Sequence, residues 1–169
     1  MSVALHVPRT ATDEGVIEAA KAALGDSIVD VQEHVGEITV IVKRDEIINV
    51  LRGLRDTPGL EYQQLMDIVG VDYPERAERF EVVYHLHSLE RNQRIRLKCR
   101  LSGINPEIDS VTSVWRSANW YEREVFDMFG IGFRNHPNLV RILMPTDWEG
   151  YPLRKDYPVH GYKYSYPSE

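Results

Sequence analysis

Residues 94–101, RIRLKCRL, alternate apolar and basic side chains without a break. In an extended chain successive side chains point to opposite faces, so Ile95, Leu97, Cys99 and Leu101 share one side. Arg94, Arg96, Lys98 and Arg100 share the other. A helix would scatter the same residues around its circumference. The segment therefore predicts a strand in a sheet with one buried face and one polar face. The basic row reads first as a solvated face and second as a surface for an acidic partner.

Other segments supply neighbours for that strand. QQLMDIVGVDY and FEVVYHLHSL precede it as two further strands, and SIVDVQEHV and EITVIVK form a pair joined tightly at Gly36. Val16, Ile17, Ala20, Ala23 and Leu24 have helical spacing after a cap at Thr10 or Thr12, and Gly25 ends that helix. A second helix from about Asp45 puts Ile47, Ile48, Leu51 and Leu54 on one face and stops at Pro58-Gly59. Ser110 is the expected cap of a longer helical segment, SVTSVWRSANWYEREVFDMF. The order of elements predicts an α+β domain, a mostly antiparallel sheet with helices on one face, over residues 1–130. From 131 to 169 the chain is rich in Pro, Gly, Tyr and Trp with no sustained period, and reads as an extended C-terminal docking segment.

With 169 residues the chain fits one domain, and a net charge of −6 argues against non-specific nucleic-acid binding. No apolar run approaches the roughly 20 residues that span a bilayer, and the first residues lack the pattern of a secretory signal. The expected setting is the cytoplasm, with membrane contact only through a partner. Cys99 is the single cysteine, so neither an intrachain disulfide nor an iron–sulfur cluster held by this chain alone is possible.

The stretch WYEREVFDMFG, Trp120–Gly130, sets Glu122, Arg123, Glu124 and Asp127 among large apolar residues. On a helix Tyr121, Val125, Met128 and Phe129 form the apolar face, and Arg123 and Asp127 are i, i+4 neighbours able to pair. A helical carboxylate-bridged metal site would need Glu-x-x-His motifs, which are absent. A buried unpaired carboxylate costs several kcal/mol, so these groups need partners, and Arg123, Arg134, Arg141, Arg154 and Lys155 are the candidates. His85 and His87 share a strand face but lack a third ligand for zinc, and read as surface strand histidines. GIGF before His136-Pro137 reads as a turn, having neither phosphate-loop nor dinucleotide spacing. In PLRKDYP the prolines stiffen a strip from which Arg154, Lys155 and Asp156 are expected to project. Tyr162, Tyr164 and Tyr166 form either an interface or an edge strand. A site in its own right, metal or hydrolytic, would draw on Glu122, Glu124, Asp127 and His136.

The run EREVFDMFGIGF followed by HPNLVRILMPTDWEGYPLRKDYP resembles the signature of the thirty-kilodalton subunit of respiratory complex I, NADH–quinone oxidoreductase. This family includes the bacterial C subunit and its counterpart, the J subunit of the photosynthetic complex. The resemblance implies a non-catalytic member of the hydrophilic arm, without catalytic, cofactor-binding or metal-ligating residues of its own. It implies packing on the forty-nine-kilodalton D subunit, which forms much of the quinone pocket, and on the cluster-bearing B and I subunits. Iron–sulfur clusters, FMN and quinone would then belong to the partners. The setting implied is peripheral, on the cytoplasmic face of the inner (plasma) membrane. The matching positions, implied as assembly residues, are Glu122, Arg123, Glu124, Asp127, Gly130, His136, Pro137, Arg141, Pro145, Asp147, Trp148, Gly150, Leu153, Arg154, Lys155 and Asp156. The same module would also suit a related membrane-bound hydrogenase or ferredoxin-dependent complex.

Overall fold

The computed structural model describes residues 15–161. Thr10, Thr12, Tyr162, Tyr164 and Tyr166 lie outside these residues. The elements are α1 (Val16–Leu24), β1 (Ile28–His34), β2 (Glu37–Val42), α2 (Ile47–Asp56), β3 (Gln64–Asp72), β4 (Phe80–Ser88), β5 (Gln93–Leu101), β6 (Glu107–Asp109), α3 (Ala118–Phe129) and β7 (Gly132–Arg134). Five strands make one sheet in the order β1-β2-β5-β4-β3. Three of its pairings are antiparallel and one, β2 with β5, is parallel, with Val40 opposite Leu97. The α+β class and the largely antiparallel sheet are as the sequence predicts. The parallel pair is not, because α2 and two strands intervene between its members and local periodicity carries no information about which edges meet.

The alternation in β5 becomes the two faces of the sheet. Ile95, Leu97, Cys99 and Leu101 pack with Val40, Tyr84, Phe80 and Ile68 in one hydrophobic cluster. The apolar faces of α1, α2 and α3 (Val16, Leu51, Leu54, Val125 and Met128 among them) join the same cluster, so all three helices cover one face. Burying a Leu or Ile side chain is worth about 1.5–3 kcal/mol, and this cluster carries the fold.

The helix predicted from Ser110 begins later, at Ala118. Residues 110–117 turn instead, because Ser110 is tied elsewhere: its N–H bonds the Arg134 carbonyl, and its hydroxyl bonds Glu122. The preceding β6 pairs in parallel with β7, a two-stranded sheet the sequence does not announce. Beyond Gly130 the chain has little regular structure up to Gly161.

Helix α3 meets the sheet where β3 carries Gly70. A Cβ there would lie 2.6 Å from Phe129 Cδ2, so the ring packs directly on the strand backbone. Phe129→Ala should cost roughly 3–5 kcal/mol of stability in a denaturant titration, as large core truncations do. Gly70→Ala, which overpacks the same contact, should cost roughly 1–3 kcal/mol. Wild-type midpoints for both variants would mean that the seam is not under load.

Candidate functional site

The C-terminal half of α3 is where the conspicuous charges gather. Asp127 is fully buried. Its Oδ2 accepts hydrogen bonds from three consecutive backbone N–H groups, Ile142 at 3.0 Å, Leu143 at 2.8 Å and Met144 at 2.8 Å. Its Oδ1 accepts from Arg141 Nη1 at 2.6 Å. Successive N–H groups curled around one oxygen make an anion cradle, and here the anion is the chain's own carboxylate. Burial pushes the Asp127 carboxyl upward, but the Met144 N–H, the Arg141 guanidinium and the Leu143 and Ile142 N–H groups together hold it below the usual range. Arg141 also donates to the Gly150 carbonyl at 3.0 Å. Arg123 does not pair with Asp127 as its i, i+4 spacing allowed. Its guanidinium reaches over the Trp120 ring and donates to the carbonyls of Val140 and Arg141.

Arg154 does not project. Its Nε donates to the Phe129 carbonyl at 2.6 Å, and its guanidinium lies 4.6 Å from the Tyr151 ring centroid and 5.0 Å from that of Phe80. The last carbonyls of a helix lack partners and carry negative partial charge, which suits a cation. Leu153 N–H adds a bond to the Met128 carbonyl at 3.1 Å. Gly130 makes this approach possible. It ends α3 with φ 69°, and a Cβ there would stand 2.6 Å from Arg154 Nη2. Further along, Arg79 grips buried Asp72 with two bonds, at 2.7 and 2.8 Å, and Asp156 with a third at 2.9 Å. The Lys155 N–H also bonds Asp72, at 2.8 Å. The Arg79 guanidinium holds the Asp72 carboxyl low against the effect of burial. Of the three charges in the strip, Lys155 and Asp156 are exposed and Arg154 is turned inward.

Glu122 is also fully buried but has fewer partners. It accepts from Ser110 Oγ at 2.6 Å and from the Val111 N–H at 2.6 Å. Burial outweighs both bonds and raises its carboxyl to about 7. His136 Nε2 lies 3.8 Å away, with the imidazole out of solvent. Its ring is committed: Nδ1 accepts from the Asn138 N–H, so Nε2 carries the hydrogen and donates to the Asn119 carbonyl. Burial lowers its pKa. The pair is thus a neutral imidazole beside a readily protonated carboxyl, shielded from any substrate. GIGF is not itself the turn: Gly132 and Phe133 belong to β7, and the chain turns just after them, where the His136 N–H bonds the Phe133 carbonyl at 3.3 Å. The packing of His136 on Glu122 had no local signal, since no periodic spacing links the two.

The four residues of a would-be independent site do not converge. Glu124 is exposed, Asp127 is enclosed by its own donors, and Glu122 and His136 sit apart with Ser110. Among the described residues no three His, Cys, Asp or Glu side chains stand together to hold a metal ion. His85 and His87 hydrogen-bond across the sheet, His85 to Asp67 and Arg96, His87 to Gln64 and Asn92. Pro137 and Asp147 are exposed, Pro145 and Gly150 lend carbonyls to turns and to Arg141, and Trp148 keeps its indole N–H buried. Sequence reading missed Asp72, Arg79 and Tyr151, which only long-range contacts make important.

The sequence pattern of the family described as "Respiratory-chain NADH dehydrogenase, 30 Kd subunit" matches residues 40–163, well over half of the chain. The chain belongs to this family. The C subunit of NADH-quinone oxidoreductase from Citrifermentans bemidjiense is 52% identical over 141 residues, which are 83% of this chain and 86% of that one. The corresponding subunit from Novosphingobium aromaticivorans is 48% identical over 162 residues, and there the chain spans only about half, 52%, of the relative's length. Among solved structures, the trypsin-resistant fragment (1–134) of Nqo5 shares 32% identity at a TM-score of 0.60, covering 75% of this chain and 98% of the fragment. A chain of an archaeal membrane-bound sulfane sulfur reductase has the same fold, with a TM-score of 0.74 at 24% identity over 86% of this chain and 85% of that one. The kinship expected from the signature is thereby established, and most of the signature charges in this member serve to fasten residues 131–161 onto the core.

Asp127→Asn should cost roughly 3–5 kcal/mol, measured by denaturant titration at neutral pH, because three N–H groups and Arg141 lose their anion. An effect below about 1 kcal/mol would mean that the cradle contributes little. Glu122 gives a prediction of opposite sign. Its folded value of about 7 exceeds the ordinary 4.5, so the folded state holds this proton more tightly than the unfolded one. Its contribution is fully present below about pH 4.5 and is lost as pH rises through about 7. The gap amounts to roughly 3 kcal/mol. Glu122→Gln should remove that decline, so the stability difference between variant and wild type should grow in the variant's favour between pH 4.5 and pH 7. A difference independent of pH would show that Glu122 ionises normally.

Proposed function

We propose that this chain is a non-catalytic subunit of the hydrophilic arm of an NADH:quinone oxidoreductase, peripheral on the cytoplasmic face of its membrane. Its role is to pack on the forty-nine-kilodalton D subunit beside the quinone site, and on the cluster-bearing B and I subunits, and so to support electron transfer to quinone. Flavin, iron–sulfur clusters and quinone belong to those partners, and the docking segment is residues 131–169. No described helix is long and apolar enough to cross a membrane, which is compatible with attachment through neighbours.

One observation carries this reading. The charges of the signature are used inside the chain, while large apolar side chains around them are left in the open. Trp120, Val140, Leu143 and Leu153 are each exposed to 45% or more. Arg123 ties Trp120 to Val140, Leu143 follows from the Asp127 cradle, and Leu153 hangs from the end of α3. Trp beside Arg, with aliphatic neighbours on a rigid base, has the make-up of an interface hot spot.

The test is affinity purification of the tagged chain from detergent-solubilised membranes of its own host, read by absorbance and by mass spectrometry. The expected result is a complex containing the D subunit and iron–sulfur clusters; hydrogenase or ferredoxin-linked partners would assign the related assembly. A colourless lone chain overturns the reading. Trp120→Ala should leave the melting temperature of the chain unchanged and weaken its retention in the complex by about thirtyfold, the effect of a hot spot worth about 2 kcal/mol.

A further inference from the structure

The three helices cover one face of the sheet, and the apolar residues of the other face, Ile41, Val69 and Val83, stand outside the core cluster that the helices join. The residues of that other face line up in rows across the strands: Thr39, Arg96, His85 and Asp67 in one, Ile41, Lys98, Val83 and Val69 in the next, then Arg100, Glu81 and Val71. Arg96 is satisfied, bonding His85 of its own row at 2.9 Å and Glu37 beside the row at 2.6 Å. Lys98 and Arg100 are held more loosely. They crowd Glu81 together with Arg76, but only Arg76 makes a hydrogen bond to it, at 2.9 Å. Lys98 Nζ stays 3.5 Å away and Arg100 Nε 3.8 Å. Arg100 Nε is buried without an acceptor.

The balance on this face runs against the rest of the molecule. Among the described residues Arg76, Arg94, Arg96, Lys98 and Arg100 meet Asp30, Glu37, Asp67 and Glu81, a cationic surplus on a chain whose net charge is −6. Beneath the charges lies an apolar floor: Ile41 and Val83 are closed to solvent, and Val69 beside them is 40% exposed. The Lys98 and Arg100 side chains are 27% and 38% exposed, so the donors that Glu81 leaves unused are open to a partner's carboxylate.

We propose that this face is a second docking surface of the molecule, taking an extended acidic segment of a neighbouring subunit whose carboxylates meet Lys98 and Arg100. These two lie i, i+2 on β5, about 7 Å apart along the strand, so a segment with acidic residues at every second position matches them. The inference rests on the chain being part of a complex. It concerns the side of the sheet away from α3 and the segment that follows it.

The experiment treats the purified complex with a carbodiimide, which joins an ammonium directly to a carboxylate, and locates the links by mass spectrometry. Lys98 should be joined to an aspartate or glutamate of another, identified subunit. A Lys98 link confined to Glu81 of the same chain, or no Lys98 link, overturns the proposal while the assignment to a complex stands; failure to recover a complex overturns that assignment first. Arg94→Glu sits on the same face, with its side chain exposed and outside the Glu81 cluster. It should leave the melting temperature unchanged, weaken retention in the complex several-fold and lower the Lys98 link. Unchanged retention counts against the proposal. Binding of the chain to phosphatidylglycerol vesicles, lost in Arg94→Glu, with no intersubunit link in the complex, would replace the acidic segment by a lipid surface.

Discussion

A single carboxylate governs the course of the chain after α3. Irregular backbone laid on a protein surface must find partners for its N–H groups, and a buried aspartate must find donors for its charge. Asp127 and residues 142–144 solve both requirements with the same bonds, and Arg141 adds its cation from the same turn. Taking either side away leaves the other uncompensated in a place that water does not reach. The remaining attachments extend this one: Arg154 covers the open end of α3, and Asp72 with Arg79 catches the backbone at Lys155 and the side chain of Asp156.

Glu122, earlier on the same helix, shows how the number of donors sets the outcome. Both carboxylates are fully buried. Asp127 receives three N–H groups and a guanidinium, and stays ionised. Glu122 receives one hydroxyl and one N–H, the neighbouring imidazole having already given its hydrogen to the Asn119 carbonyl, and its carboxyl rises to about 7. Burial pushes both carboxyls upward; the donors around Asp127 reverse the net direction and those around Glu122 do not.

This use of charge bears on the proposed role. A protein that docks through ion pairs would leave its charges waiting at the surface. Here the signature spends them internally to make a rigid platform, and Trp120, Val140, Leu143 and Leu153 stand out from it. The opposite face of the sheet has the reverse character, with apolar residues as floor and under-used cations above.

The sequence by itself determined the elements with a clean period. β5 follows its alternation, β3 and β4 lie where their runs place them, and α2 ends before Pro58. It also carried the family, since a long run of spaced residues is specific regardless of what each one does. The tertiary structure decided the rest, because partners far apart in the chain set it. Ser110 would cap a helix if free, yet Glu122 and the Arg134 carbonyl take it, and α3 starts at Ala118. Arg154 would project from its proline-bounded strip, yet the unpaired Phe129 carbonyl and two aromatic rings draw it inward. Local spacing states which side chains share a face; only the packed chain states which of them water no longer reaches, and so which charges must find one another.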